Sequence, residues 1–438
     1  MEDEKQQEME DVEALINEAK RLYGSERVIA AEKRIVQATN VVQKRDRDRE
    51  LRGEEKSHVL AGLTSRLTES DRVIAAIRHD ADTVRKIIAD ANDDSGWSVQ
   101  RRGDAHADDI RVLYTHTSGS PLLTLRISGE VDAPLLGPLA VMNEVDLYET
   151  WIPILNFGVG KVGLRSAHTI EQITTVSKVV FLDLICPWPF DHRELVLVGR
   201  GIDLLEEKGT IIVALKSPTL FAEDEPIYPV SDSDNDDQTA HMKDTQRLAA
   251  REEEWRRERK RKAMEEAASG DGARGKREDS AGGRAERRVQ MEAVGHVIFR
   301  YISPTRCFCQ VQMKVDVKLS YIPSPILNFV TRTLASTIFS FYKRRCVDVF
   351  RDEATDDEGQ KRINGDNEAA DDSMLTSQDD MSPCVQSASS ITKTSGGTHT
   401  NLHRQRIESA SEFYDFVRSA LGAFDAVLRA REVEGGVC

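Results

Sequence analysis

The stretch from Val311 to Leu319 alternates without exception. Val311, Met313, Val315, Val317 and Leu319 are apolar, and Gln312, Lys314, Asp316 and Lys318 are polar. A side-chain period of two marks a strand with one dry and one wet face, as in an antiparallel sheet. Leu123, Leu125 and Ile127, set against Thr124, Arg126 and Ser128, repeat it. Further strands are predicted over 168–174, 178–185, 193–202 and 210–215. The chain ends read differently. Residues 5–90 contain no proline, and Leu15, Ile16, Ala19 and Leu22 recur at helical spacing. Leu60, Leu67 and Ile74 step by sevens, which suits a helical hairpin or short coiled coil, with breaks at Gly24 and Gly53. Asp132 and Pro134 are start signals for a helix turning Leu139, Met142 and Val145 inward. Near the C-terminus, Tyr414, Val417, Leu421, Phe424 and Leu428 form one helical stripe. That stripe must bury against the central domain or the N-terminal helices.

Two segments carry more apolar bulk than a plain surface element. Cys186-Pro187-Trp188-Pro189-Phe190 is a proline-stiffened loop between two strands, and its aromatics either pack locally, plug a cavity or touch a membrane. Pro323 and Pro325 launch a helix with Ile326, Val330, Leu334, Ile338 and Phe341 on one stripe, widened by Leu327, Phe329 and Phe339. It closes on Lys343, Arg344 and Arg345, which complement its negative end and could rest on anionic headgroups. This helix is expected to pack on the sheet and to line a ligand cavity.

Composition lowers the domain count. At 438 residues the chain has length for about three domains. Only 39% is hydrophobic while 31% is charged, much of it in runs over 222–288 and 351–400 that read as disordered or linker-like. The divisions expected are a helical region 1–92, a domain 93–345 interrupted at 222–288, a linker 346–400 and an amphipathic helix 401–438. A net charge of −15 opposes nucleic-acid binding. Cys186, Cys307, Cys309, Cys346, Cys384 and Cys438 show no CxxC, the N-terminus is too charged for a signal peptide, and no apolar run reaches membrane-spanning length. A soluble cytoplasmic chain with reduced thiols is expected.

Candidate chemistry is sparse. Gly158-Val159-Gly160-Lys161-Val162-Gly163 matches GxGxxG, with Asp183 placed 20 residues past its last glycine. Pro153 breaks the strand such a loop needs, and no amphipathic helix follows, so a flexible turn is the better reading. Asp191, His192, Arg193 and Glu194 read as a charged loop beside a strand. The histidines lack ligand spacing and no nucleophile elbow is present. No enzyme, cofactor or metal is expected.

Taken in order, several segments resemble the START (StAR-related lipid-transfer) domain family. These are Asp146–Tyr148 with Trp151-Ile152-Pro153, the loop Pro187–Glu194, the strand 210–217, and Tyr321-Ile322-Pro323 with Asn328 opening the long helix. The resemblance spans about residues 93–345; it departs at Glu194, where the family has Asp, and in the long insertion. It implies an α+β helix-grip fold, in which a curved antiparallel sheet wraps a long C-terminal helix around a tunnel for one phospholipid, sterol or ceramide. By position, Ile326, Leu327, Val330, Leu334, Ile338 and Phe341 would line the lid. Trp188, Phe190 and Arg193 would form the entrance loop, and Asp183, Arg200 and Tyr321 would be headgroup contacts. The implied partners are a lipid ligand, a transient membrane contact and a protein held by the N-terminal helices. The rival reading is a scaffold that binds partners through its helical ends and insertion, with the domain as a lipid sensor.

Overall fold

Alternation along each strand decides which side chains face which layer, and nearly every predicted strand forms. The computed structural model describes residues 2–52, 58–67, 71–101, 110–157, 160–187, 189–221, 246–258, 261, 288–350 and 411–435. Ten strands make one sheet: β1 Ser98–Arg101, β2 Arg111–His116, β3 Leu122–Val131, β4 Leu155–Phe157, β5 Gly160–Thr174, β6 Ser177–Ile185, β7 His192–Leu204, β8 Thr210–Lys216, β9 Arg288–Ser303 and β10 Arg306–Asp316. Their order is β1-β2-β3-β10-β9-β8-β7-β6-β5-β4, with antiparallel neighbours. β8 is short. Where it ends, the first residues of β9 pair in parallel with β7, His192 opposite Arg288. Register shifts at Leu164/Ser166, Thr169/Glu171 and Gln172/Thr174 add the local twist that curves the β5–β6 edge.

Helices cover both faces. On the concave face lie α5, Leu136–Asn143, and α8, a continuous helix made of Ser324–Phe329, a π turn Val330–Leu334 and Ala335–Asp348. With them packs the C-terminal helix α9, Glu412–Gly435. Leu139, Val180, Leu197, Ile211, Phe299, Phe339, Tyr342, Val417 and Phe424 belong to one core. The architecture is an α+β helix-grip fold.

On the convex face sit α1 Glu2–Gly24, α2 Val28–Arg52, α3 His58–Ser65 and α4 Arg72–Asn92. Their stripes, including Ile16, Ile35, Ile77 and Val84, meet Ile202, Leu204, Ile212 and Ile298 of the sheet. Asp71 caps α4 by accepting from the backbone N–H of Val73 and Ile74. Glu26 carries a positive φ of 60° in the α1–α2 turn, and its carboxylate accepts from Arg200 Nε of β7 at 3.0 Å. Arg200 also binds Asp80 of α4. The predicted break at Gly24 is thus a tight turn, whereas Gly53 lies outside the described residues.

Part of the insertion departs from the expectation of disorder. Residues 246–258 form helix α7, between the short α6 Leu205–Lys208 and α8. Its buried Leu248 and its Trp255, 4.3 Å from the Phe181 ring, pack on the convex face of β6 and β7. Two apolar anchors two helical turns apart suffice, because Arg256 adds a 2.8 Å bond to the buried Glu194. The segment 351–400 lies outside the described residues.

Candidate functional site

An apolar cavity of about 80 Å³ lies between the concave face, α5 and α9. Leu139, Met142 and Val145 turn into it from α5 and the following turn, as their spacing predicts. Val180, Ile211, Val213 and Leu215 come from β6 and β8, and Phe413, Phe416 and Val417 from α9. Gly199 and Gly201 of β7 form its floor, where a Cβ would meet Leu215 at 3.3 Å and Val176 at 3.0 Å.

An amine and a carboxyl stand in this wall, those of Lys178 and Asp203, and burial raises the pKa of the Asp203 carboxyl. Lys178 shares its parity on β6 with Val180, Leu182 and Leu184 and so faces inward. Its Nζ donates to Asn143 Oδ1 at 2.7 Å and to the Asn143 carbonyl at 2.9 Å. Burial lowers its pKa, opposed by the acidic Glu144 and Asp146. Tyr148 donates to the Met142 carbonyl at 2.6 Å and stacks edge-on with Trp151, which stacks in turn on Tyr342. Tyr148 and Trp151 thereby brace the end of α5, which carries Lys178's partner Asn143.

The C-terminal helix closes the cavity. Tyr414, Val417 and Phe424 are buried, Tyr414 donates to Glu144 Oε1 at 2.7 Å, and the Phe424 ring meets Tyr301 at 5.2 Å. The same ring comes within 3.3 Å of where a Cβ on Gly209 would sit, at a φ of +60°. A side chain there would be strained by backbone and ring alike.

The expected site residues scatter. Ile326, Leu327, Val330 and Leu334 are half-buried on α8, and Ile338 and Phe341 pack against the concave core. None of the six lines this cavity; the wall they were expected to supply comes from α9. α8 instead buries Thr331, Ala335, Phe339, Tyr342 and Cys346, a stripe rotated by one position. Trp188 lies outside the described residues, while Phe190 is half-buried. Arg193 is buried and clasps the loop, donating to the carbonyls of Asp191 and, at 3.1 Å, Val317. Tyr321 is 58% exposed. Asp183 and Arg200 have the opposite parity to Lys178 and face the convex side, Asp183 against Arg288 and Arg200 against Glu26 and Asp80. The GxGxxG residues that are described, Gly160 and Gly163, begin β5 in a hairpin with β4. Gly163 is required there because a Cβ would stand 2.3 Å from the Pro153 carbonyl.

Among the described residues Cys186, Cys307, Cys309 and Cys346 are free thiols. No described helix is long and apolar enough to cross a membrane. No family model matches the chain, and no curated protein matches it. Among solved structures the chain is similar to human STARD10, at 12% identity over 64% of this chain and 82% of that one, with a TM-score of 0.38. It is similar to human StAR-related lipid transfer protein 5, at 12% identity over 63% and 99%, TM-score 0.39. It is also similar to a Streptomyces aromatase/cyclase, at 9% identity over 52% and 96%, TM-score 0.27.

Proposed function

We propose that this chain holds one lipid, of the phospholipid, sterol or ceramide class, against the concave face of its sheet and carries or senses it between membranes. The observation that carries this reading is the concave cavity, an apolar wall broken by the half-buried Lys178 ammonium and the Asp203 carboxyl. Burying a lipid chain from water is worth about 0.8 kcal/mol per methylene. A bilayer offers nearly the same, so a carrier needs a dry wall and a movable side more than affinity. Lys178 takes the role of headgroup contact in place of Asp183 and Arg200, since an anionic group beside it would relieve an ammonium that burial disfavours.

The movable side is α9. At about 80 Å³ the cavity is far below the roughly 300–1,000 Å³ of ligand sites, so a lipid enters it only when one wall moves. Undocking of α9 would free the surface now covered by Phe413, Phe416 and Val417. Its departure leaves the sheet, α5 and the turn after α5 as the rest of the wall. Native mass spectrometry of the purified chain, followed by organic extraction, tests the reading. A stoichiometric lipid is expected, and its headgroup names the class. A mass that stays ligand-free after incubation with mixed vesicles refutes lipid carriage.

A further inference from the structure

A second cavity, of about 450 Å³, opens on the other side of the sheet beneath α4. Its floor follows from strand register. Ser177, Arg200, His296 and Gln312 lie in one row across β6, β7, β9 and β10, with Ala214 of β8 between Arg200 and His296. In the adjacent row, Lys216 of β8 and Lys314 of β10 flank Val294 of β9. Those two lysines are two strand spacings apart, about 10 Å between Cα atoms, so both ammonium groups can reach one ligand. Asp80, Thr83, Ile87 and Asp90 follow one face of α4 and form the roof. Val294, 37% exposed, stands at the mouth.

The hydrogen-bonding groups are unbalanced toward donors. The carboxylates of Glu26 and Asp80 are both committed to Arg200, and Asp80 also accepts from Tyr23 at 2.7 Å. Gln312 gives its Oε1 to Arg126 at 2.8 Å, which leaves the amide N–H groups as its contribution to the cavity. Asp90 is the other roof carboxylate, and the Lys216 ammonium also lies over the Phe221 ring at 4.7 Å. Two buried polar atoms of the floor have no hydrogen-bond partner among the described residues: His296 Nε2, on a residue only 4% exposed, and Ser177 Oγ. Orphaned polar atoms cost stability unless a ligand satisfies them. Burial, with Arg126 nearby, pushes the His296 pKa down to about 4, so the ring is neutral here and would be eased by an anion.

We infer that this convex-face cavity is a second binding site, for a phosphate monoester whose oxygens bridge Lys216, Lys314 and His296. Such a group supplies acceptor oxygens and negative charge where the wall supplies donors. It has two sources, a soluble metabolite or the headgroup of a membrane lipid. Calorimetry of the full chain with glycerol 3-phosphate presents the group free. Flotation with phosphatidylcholine vesicles carrying phosphatidate presents it on a membrane. Lys216→Gln with Lys314→Gln removes two charge-assisted contacts and should weaken whichever probe binds by roughly a hundredfold. Loss of glycerol 3-phosphate binding in this variant identifies a soluble ligand. Binding to phosphatidate vesicles alone, lost in the variant, identifies a lipid headgroup. Binding of neither probe overturns the inference, as does equal binding by the variant. In the unaltered protein, whichever probe binds should raise the His296 pKa read by NMR; a bound probe that leaves it unmoved also overturns the site.

Discussion

Replacing Phe424 by Ala tests whether α9 is a gate. Phe424 does not line the concave cavity, yet it is a main anchor of the helix, wedged between Tyr301 and Gly209. The three buried side chains of α9, Tyr414, Val417 and Phe424, contribute roughly 5–9 kcal/mol before the cost of ordering the segment, at about 1.5–3 kcal/mol each. Phe→Ala at a packed site removes about 3–5 kcal/mol. Taking about 3 kcal/mol, the undocked fraction of α9 should rise roughly a hundredfold, at 1.4 kcal/mol per tenfold. Hydrogen exchange read by mass spectrometry should then quicken across 411–435 and stay unchanged across β6 and β7, because helices at the low end of the stability range open on their own. Lipid uptake from vesicles should quicken in parallel. Loss of protection in α9 and the sheet together would refute a separable gate. Faster α9 exchange with unaltered lipid uptake would show that the helix opens but gates nothing.

Three more expectations follow from buried charge. His296 titrates near 4 when folded against about 6.5 unfolded, so the unfolded chain binds the extra proton between those values. Stability should therefore hold above pH 6.5 and fall by about 3 kcal/mol as pH drops to 4. Urea unfolding across that window should show the loss, and His296→Gln should flatten it; an unchanged slope in the variant would point to other groups. Arg200→Met strands Glu26, which is 5% exposed, and should cost roughly 3 kcal/mol in urea. Adding Glu26→Gln should restore part of that, and no recovery would mean the pair is not what anchors the helical hairpin. Lys178→Met should strip anionic lipids from the extracted pool while preserving the fold, and an unchanged headgroup profile would remove Lys178 from the site.

Side-chain parity along the strands specifies most of the fold and the inward placement of Lys178. The alternation of Val311–Leu319 placed β10's dry face correctly, and Val311, Met313, Val315 and Val317 do pack toward the concave core. Counting by twos along β6 also puts Lys178 with Val180, Leu182 and Leu184, and so inside. Asp183, a headgroup contact by family resemblance, falls on the other face by the same count, and Arg200 on β7 joins it. The signal lay in which face a charge shares, rather than in the charge itself.

Helices gave a weaker signal. α8 carries two adjoining rows, Ile326, Val330, Leu334 and Ile338 beside Thr331, Ala335, Phe339 and Tyr342, and the packing partner buries the second. The stripe of α9 was legible, but a stripe names a buried face and not the surface that covers it. Only the fold brings residues 412–435 to a cavity built by residues 139–215. That separation has a physical consequence. A wall supplied by the last helix, past a stretch of some sixty residues, can leave without breaking any strand pairing. The cost of opening then rests on side-chain contacts of a few kilocalories, which is the range a bound lipid or a membrane surface can shift.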